Sequence, residues 1–557
     1  MIRIATVTGR TSDGGEKREF VIRAPYRDLE RVKGIPGRRW HASTKTWRAP
    51  ATPHVAGEIL AIFGDGGVQG DATFDALAKV ARKNKALQAV KGMDNLPQPQ
   101  LRARDSWPHQ LQAYHFAKGQ PAAMLAMKMG RGKTKVAVDL IWNRDHRRTL
   151  IVCPNKVQSV WLEQVEQYAA VNDYIMECAQ KGTTAQRAQK IAQAILKAER
   201  LGRRAIIVVN YEAAWHEAMA RVLLAADFDF VIADESHRIK APQGRASQFL
   251  SKLGDRTPYR LCLTGTPMPH SPLDIFAQYR FLDKGIFGTS YALFRARYAI
   301  MGGYGGHEVK GYQRQDELRE RFERIAFQCD ADMGLQEPVH MVRHVELTPA
   351  TMRAYTKMHT TFTVEVKAGT VTAANALSKL LRLQQITSGY LPVDDGERIE
   401  QIGTEKRDEL ADILEDLDMR EPIVVFARFR HDLDQIKAAV EASGRTYAEL
   451  SGRANDLAIW QQGGADVIGV QIQAGGVGIS LVRARYCIYY SLGYSLGDYE
   501  QSLARVHRPG QKEQVTYIHL IAKRTVDERV YSALRKRKEV IADILEMERG
   551  RDTGVKL

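Results

Sequence analysis

A chain of 557 residues is too long for one ordinary hydrophobic core, so about three units are expected. With 44% hydrophobic and 26% charged residues it falls outside the disordered class, and no apolar run is long enough to cross a bilayer or to form a signal peptide. The net charge of +16 favours a polyanionic partner such as nucleic acid. Five scattered cysteines with no C-x-x-C pair exclude a disulfide framework and a zinc ribbon, which places the protein in the cytoplasm, or in the nucleus of a eukaryotic host.

The first fifty residues carry twelve Lys/Arg against five Asp/Glu. Within them FVIRAPY (20–26) reads as a strand, RDLERVKGI as a short helix, PGRR as a turn and TKTWRAP as a second strand. A lysine-bearing helical stretch completes a small α+β unit over 1–95, and DNLPQPQLRARDS (94–106) has the composition of a linker. From Trp107 short apolar runs alternate with amphipathic helices, the pattern of a parallel sheet. The expected strands are MLAMKM (124–129), TLIVCP (149–154), AIIVVN (205–210), FDFVIAD (228–234) and LCLTGT (261–266). TTAQRAQKIAQAILKAER (183–200) reads as a helix with a threonine start. A second α/β series runs through PIVVFA (422–427), DVIGVQ (466–471), YCIYYS (486–491) and VTYIHLIA (515–522), closed by a long amphipathic helix (527–549).

Two motifs carry chemistry. MGRGKT (129–134) follows a strand and opens a helix, so the backbone N–H groups of Gly130, Arg131 and Gly132 can approach phosphates. Lys133 would reach the β/γ-phosphates and the Thr134 hydroxyl would hold Mg²⁺. Met127 stands where the usual first glycine would be. In FDFVIADESH (228–237), Asp234 and Glu235 fall where a buried strand ends, the place where α/β sheets put ligands. Asp234 suits a Mg²⁺ ligand and Glu235 a base or orienter for the attacking water.

From Trp107 to Lys538 the chain resembles the superfamily-two helicase-like ATPases, most closely the SWI/SNF-type DNA translocase branch. WPHQ with Gln110 is similar to the adenine-reading segment. LIVCP (150–154) with the following Trp161, and VVNYE (208–212), are similar to the nucleic-acid-facing motifs of the first lobe. LTGTPMPHSP (263–272) resembles the motif that couples ATP state to lobe movement, which implies coupling roles for His237, Thr264 and Thr266. IFGTSYALFRARY (286–298), the Thr348-Pro-Ala segment and RLQQITSG (382–389) resemble the joining segments of that branch. IQAGGVGISL (472–481), with Gly476 and Gly478, and QSLARVHRPGQ (501–511) correspond to the last two ATPase motifs. Three departures stand out: Met127-Lys128 replaces an acidic pair, DESH replaces DEAH or DEGH, and CDADM (329–333) replaces an arginine-rich segment.

The resemblance implies an α/β fold of two RecA-like lobes, at 107–285 and 421–557, joined by a helical region at 286–420. A linker (96–106) and the N-terminal unit precede them. It also gives the basic C-terminal stretch a partner. Arg505 and Arg508, three apart at the expected start of a helix, would face the γ-phosphate, where a forked, permanently charged donor stabilises a transferring phosphoryl group. In related NTPases such an arginine contributes ~10³–10⁵ in turnover. His507 stays unassigned.

VKGIPGRRWHASTKTWRAP (32–50) resembles the HARP-type domain of annealing helicases. Lys33, Arg38, Arg39, Lys45 and Arg48 cluster there around Trp40, His41 and Trp47, a mixture suited to phosphates and exposed bases. The competing role for Trp47 is core packing. The whole reading is an ATP- and Mg²⁺-dependent translocase on double-stranded or branched DNA, of the annealing or fork-remodelling type and acting as a monomer, in DNA repair or remodelling. The alternatives are a strand-separating DNA or RNA helicase and a non-catalytic DNA-clamping scaffold.

Overall fold

A computed structural model of the chain describes residues 1–546 apart from 11–15, 304, 306–307, 330–334, 362, 367–368, 373–375, 394–397, 474–478 and 509. Two compact units emerge, 1–331 with 543–557 and 332–542.

The first unit begins with an antiparallel sheet of β1 (Ile2–Arg10), β2 (Glu16–Arg23), β3 (Arg39–His41) and β4 (Thr46–Pro50), with β5 (Val68–Gln69) parallel to β1; the order is β3-β4-β2-β1-β5. Ile2 and Ile4 of β1 and Phe20 and Ile22 of β2 point to one side, where they close a core with the helices Pro53–Phe63 and Ala72–Leu87. Trp47 packs partly buried against that core.

The following sheet is built from β6 (Ala122–Met127), β7 (Arg148–Cys153), β8 (Tyr174–Glu177), β9 (Arg204–Asn210), β10 (Phe230–Asp234) and β11 (Tyr259–Thr264). A hairpin of β12 (Ala299–Gly302) and β13 (Glu308–Tyr312) then precedes β14 (Ala326–Cys329), which returns to the same sheet. The order β14-β6-β11-β10-β7-β9-β8 is parallel throughout. Every residue of β9 and β10 is buried, as strands covered on both faces require. The helix Thr184–Arg200 starts on a capping box in which Thr183 accepts from the Gln186 N–H and Gln186 from the Thr183 N–H.

The second unit holds β15 (Val339–Val345), the hairpins β16 (Thr363–Val366)/β17 (Gly369–Thr372) and β18 (Tyr390–Pro392)/β19 (Ile399–Gln401), and then β20 (Ile423–Ala427), β21 (Tyr447–Leu450), β22 (Val467–Gln471), β23 (Tyr486–Tyr489) and β24 (Thr516–Ala522). Its parallel sheet has the order β15-β24-β23-β20-β22-β21.

The segment 286–420, expected to be helical, therefore also supplies β14 to one sheet and β15 to the other. With β8 and β21 these are the four edge strands, each paired on one side only, and they lack the continuous apolar run of a central strand. The segment expected to be a linker is firmly held. Gln98 exchanges hydrogen bonds with Ser106, Asn143 brackets Leu101, and Ser106 joins a buried Lys135–Asp139 pair at 2.6 Å. The N-terminal unit is docked as well: Arg324 pairs with Glu58, and Gln88 donates to the carbonyls of Glu323 and Arg324. Among the described residues no helix is long and apolar enough to cross a membrane.

At the opposite end of the first parallel sheet from the expected phosphate loop, His146 is 2% exposed, stacked on Phe230 with Tyr259 edge-on, and 3.7 Å from Asp229. Burial, helped by Arg144 and Arg204, pushes its pKa down to about 3. An unfolded histidine protonates near about 6.5, so below that pH the unfolded chain binds a proton that the folded chain does not. Stability attributable to this site is full above that pH and falls steadily as pH drops toward about 3. The urea midpoint is expected to decline from pH 7 to pH 5, with a shallower decline in His146→Phe; equal slopes would remove His146 from the account.

Candidate active site

The ends of β6, β10 and β11 meet at one edge of the first parallel sheet. After Met127 the chain turns through Lys128–Gly132 and enters the helix Lys133–Asn143. Gly130 and Gly132 have φ of 77° and 74°, a left-handed conformation that side chains disfavour. A Cβ on Gly132 would also lie 2.0 Å from Gln110 Nε2. Lys133 folds back over the loop, its ammonium donating to the carbonyls of Met127 (2.8 Å) and Lys128 (3.3 Å). Thr134 follows it in the first turn of the helix.

Gln110 lies beneath this loop, 5% exposed. Its Oε1 accepts the Trp107 N–H at 2.9 Å and its Nε2 donates to the Arg131 carbonyl, which His109 Nε2 also contacts at 3.1 Å. The amide expected to read adenine is thus engaged with the phosphate loop itself.

Asp234 ends β10, and Glu235 turns the chain with φ 50°, a left-handed conformation that costs a non-glycine residue roughly 1–3 kcal/mol. Both carboxylates are buried, at 8% and 5% exposure. Trp161 Nε1 donates to Asp234 Oδ2 at 2.8 Å, the Glu235 N–H donates to Oδ1 at 3.0 Å, and the Tyr211 hydroxyl donates to the Asp234 carbonyl at 2.7 Å. Burial and the adjacent Glu235 push the Asp234 carboxyl up to about 7, against the pull of Trp161 and of the Lys133 ammonium. A divalent cation would reverse that balance. Asp234 with Thr134 is a sparse oxygen set, and no group of three or more His, Cys, Asp or Glu capable of holding a metal occurs among the described residues. Mg²⁺ keeps several waters and takes further ligands from phosphates, so it needs few protein oxygens such as those of Asp234 and Thr134.

The coupling residues converge. His237 Nδ1 is 3.4 Å from Glu235 Oε2 and 3.3 Å from Thr264 Oγ1, and Thr264 Oγ1 accepts the Thr266 N–H at 3.1 Å. Ser236, fully buried, donates to Gln278 Oε1 at 2.7 Å, while Gln278 Nε2 donates to the Pro267 carbonyl at 2.7 Å. Gln278 is a junction that sequence reasoning missed, because a glutamine within an apolar helix has no motif. Trp161 and Tyr211 differ from expectation: they belong to segments expected to face nucleic acid, but their side chains are turned inward onto Asp234.

In the second unit the last two ATPase segments also meet. The Leu481 N–H donates to the Arg505 carbonyl at 3.0 Å, and Arg508 Nη1 donates to the Ile479 carbonyl at 3.1 Å. Gln511 Nε2 donates to the carbonyls of Val482 and Ala484, and Gly510 turns with φ 102°. The expected placement at a helix start is corrected. The helix Leu496–Val506 ends here, with Arg505 buried in its last turn and Arg508 beyond it, because the Arg508 N–H turns to the Val506 carbonyl at 3.0 Å instead of continuing the ladder. Burial lowers the Arg508 pKa from its ordinary value. His507 Nε2 contacts the Gln336 carbonyl at 2.9 Å. Gly476 and Gly478 lie outside the described residues, as do residues 330–333 of CDADM.

In the N-terminal unit, Trp40 is 51% exposed and packs edge-on against Trp47. Arg39 pairs with Glu19, 3.9 Å from Arg48, and Lys33 pairs with Glu30. Arg38 donates to the Ile35 carbonyl and Lys45 is exposed.

Residues 101–389 match the SNF2-related domain, and residues 405–510 match the helicase conserved C-terminal domain. The chain belongs to the SNF2 family of helicase-like ATPases. This SNF2-family chain is 26% identical over 455 residues to protein p41 of Acyrthosiphon pisum secondary endosymbiont phage 1, covering 75% of its own length and 92% of the phage protein. It is 21% identical to the DNA repair and recombination protein RAD54-like of Gallus gallus, over 77% of its length and 65% of that protein. It spans only 30–40% of three further curated relatives. Among solved structures, the Sulfolobus solfataricus SWI2/SNF2 ATPase core in complex with dsDNA aligns over 81% of this chain and 95% of that one, with TM-score 0.38 and 20% identity.

In this SNF2-family site, Trp161→Phe is expected to free Asp234 from its anchor. ATP turnover should fall about tenfold, the scale of one buried hydrogen bond to a charged group, and half-saturating Mg²⁺ should rise. Unchanged Mg²⁺ dependence would show that the indole does not hold the carboxylate.

Proposed function

We propose that the protein is an ATP- and Mg²⁺-dependent translocase on double-stranded or branched DNA. The observation that carries the reading is the convergence of Lys133, Thr134, Asp234 and Glu235 at one sheet edge, in a chain of the SNF2 family. Lys133 exchanges the loop carbonyls for phosphate oxygens when nucleotide binds. Thr134 and Asp234 would hold Mg²⁺, which would supply positive charge beside the phosphates. Glu235 orients the attacking water and takes its proton, with His237 beside it relaying the change to Thr264 and Thr266. Arg505 and Arg508 serve the developing charge on the transferring phosphoryl group. Gln110, already bonded to the loop, selects adenine. The naming of a relative as a DNA repair and recombination protein and the net charge of +16 support DNA as the track.

The deciding experiment measures ATP turnover without nucleic acid and with single-stranded DNA, duplex DNA, forked DNA or RNA, with triplex displacement as the movement assay. Duplex or forked DNA is expected to stimulate most; stimulation by RNA alone would overturn the DNA reading. Arg508→Ala should retain nucleotide binding and lose turnover by ~10³-fold or more. Turnover near that of the unmodified protein in that variant would remove the arginine from the chemistry.

The exposed N-terminal groups are read as DNA contacts. Trp40→Ala with Lys45→Ala should weaken forked-DNA binding at moderate salt and leave DNA-free ATP turnover unchanged. Unaltered affinity would assign both residues to the surface alone.

A further inference from the structure

The helix Leu496–Val506 buries Leu496, Tyr499 and Val506 against the second sheet. Apolar packing has no direction, so it alone does not fix how far such a helix slides or turns. Hydroxyl groups do. Ser502 Oγ donates to the Tyr499 carbonyl at 2.6 Å, so the Tyr489 hydroxyl, 2.6 Å from Ser502 Oγ, is the donor in that pair. His519 Nδ1 lies 3.1 Å from the Met341 carbonyl and must carry the proton there, which leaves Nε2 to accept from the Tyr499 hydroxyl at 2.9 Å. Finally Tyr517, on β24 and 1% exposed, donates its hydroxyl to the Leu503 carbonyl at 2.6 Å. The same carbonyl accepts the His507 N–H at 3.2 Å, the bond that ends the helix.

The Tyr517 hydroxyl therefore grips the final turn at the carbonyl from which the chain leaves toward His507 and Arg508. Where the helix ends also sets the register of Arg505 against Leu481 and of Arg508 against Ile479. We infer that Tyr517 is a positioning residue for the Arg505–Arg508 pair, holding the end of their helix against the sheet without touching nucleotide itself. The inference rests on the role proposed for Arg508.

Tyr517→Phe removes one oxygen and leaves the Leu503 carbonyl its bond from His507, so the fold persists. Displacement of a reacting group by about 1 Å can cost on the order of 10²-fold, so kcat for DNA-stimulated ATP hydrolysis is expected to fall about 10- to 100-fold while KM for ATP stays within about twofold. Tyr447→Phe is the matched control. It deletes another phenol-to-carbonyl bond of the same unit, to Leu433 at 3.4 Å, and should shift the urea midpoint without lowering kcat. Both substitutions are also made in the Arg508→Ala background, where Tyr517→Phe should lower kcat by a smaller factor, since only Arg505 is left to position. Retained turnover in Arg508→Ala alone would overturn the role proposed for Arg508. If Arg508→Ala loses turnover but Tyr517→Phe keeps its kcat, or lowers it by the same factor in both backgrounds, the positioning role is overturned.

Discussion

Asp234 and Glu235 sit side by side, almost out of reach of water, at the end of a strand buried along its whole length, and much of the first unit is arranged around that placement. Two adjacent buried carboxylates repel each other and lose solvation, which raises the Asp234 pKa to about 7. The protein answers with donors: an indole N–H and a main-chain N–H on Asp234, a phenol on its carbonyl, and an ammonium close enough to be felt. The left-handed backbone at Glu235 belongs to the same arrangement, since it turns the second carboxylate toward His237.

From there a chain of short polar contacts runs on. His237 joins Glu235 to Thr264, and Ser236 reaches Gln278 and through it Pro267. DESH in place of DEAH thus adds a hydroxyl with a buried partner. The second unit uses the same physics for a different purpose: its helix is set by a row of phenols, and Arg508 rests on a main-chain carbonyl of a neighbouring segment.

The central strands and the phosphate loop were legible because each has a local cause. A strand covered on both faces must be apolar at every position, and a loop that approaches phosphates needs glycine where φ is positive. The four edge strands were not legible, since pairing on one side relaxes the apolar requirement and β15 is largely exposed. The linker composition said nothing of the side chains of Asn143 and His115 that bind its backbone. The basic N-terminal stretch read as one patch, whereas the structure engages Arg39 with Glu19 and Lys33 with Glu30 and leaves Trp40 and Lys45 exposed.

By itself the sequence determined the family and the parallel α/β class, and it singled out the lysine, the carboxylate pair and the arginines proposed for the site, because each depends on residue types at short spacing. Tertiary structure alone decided who serves those groups. Trp161 and Tyr211 turn inward to Asp234 from helices that follow other strands, Gln278 bridges two motifs, and Tyr517 holds the helix that carries Arg505. These partners lie tens of residues away in the chain or on a different element, and a hydrogen bond between them exists only once the sheets have brought their ends together.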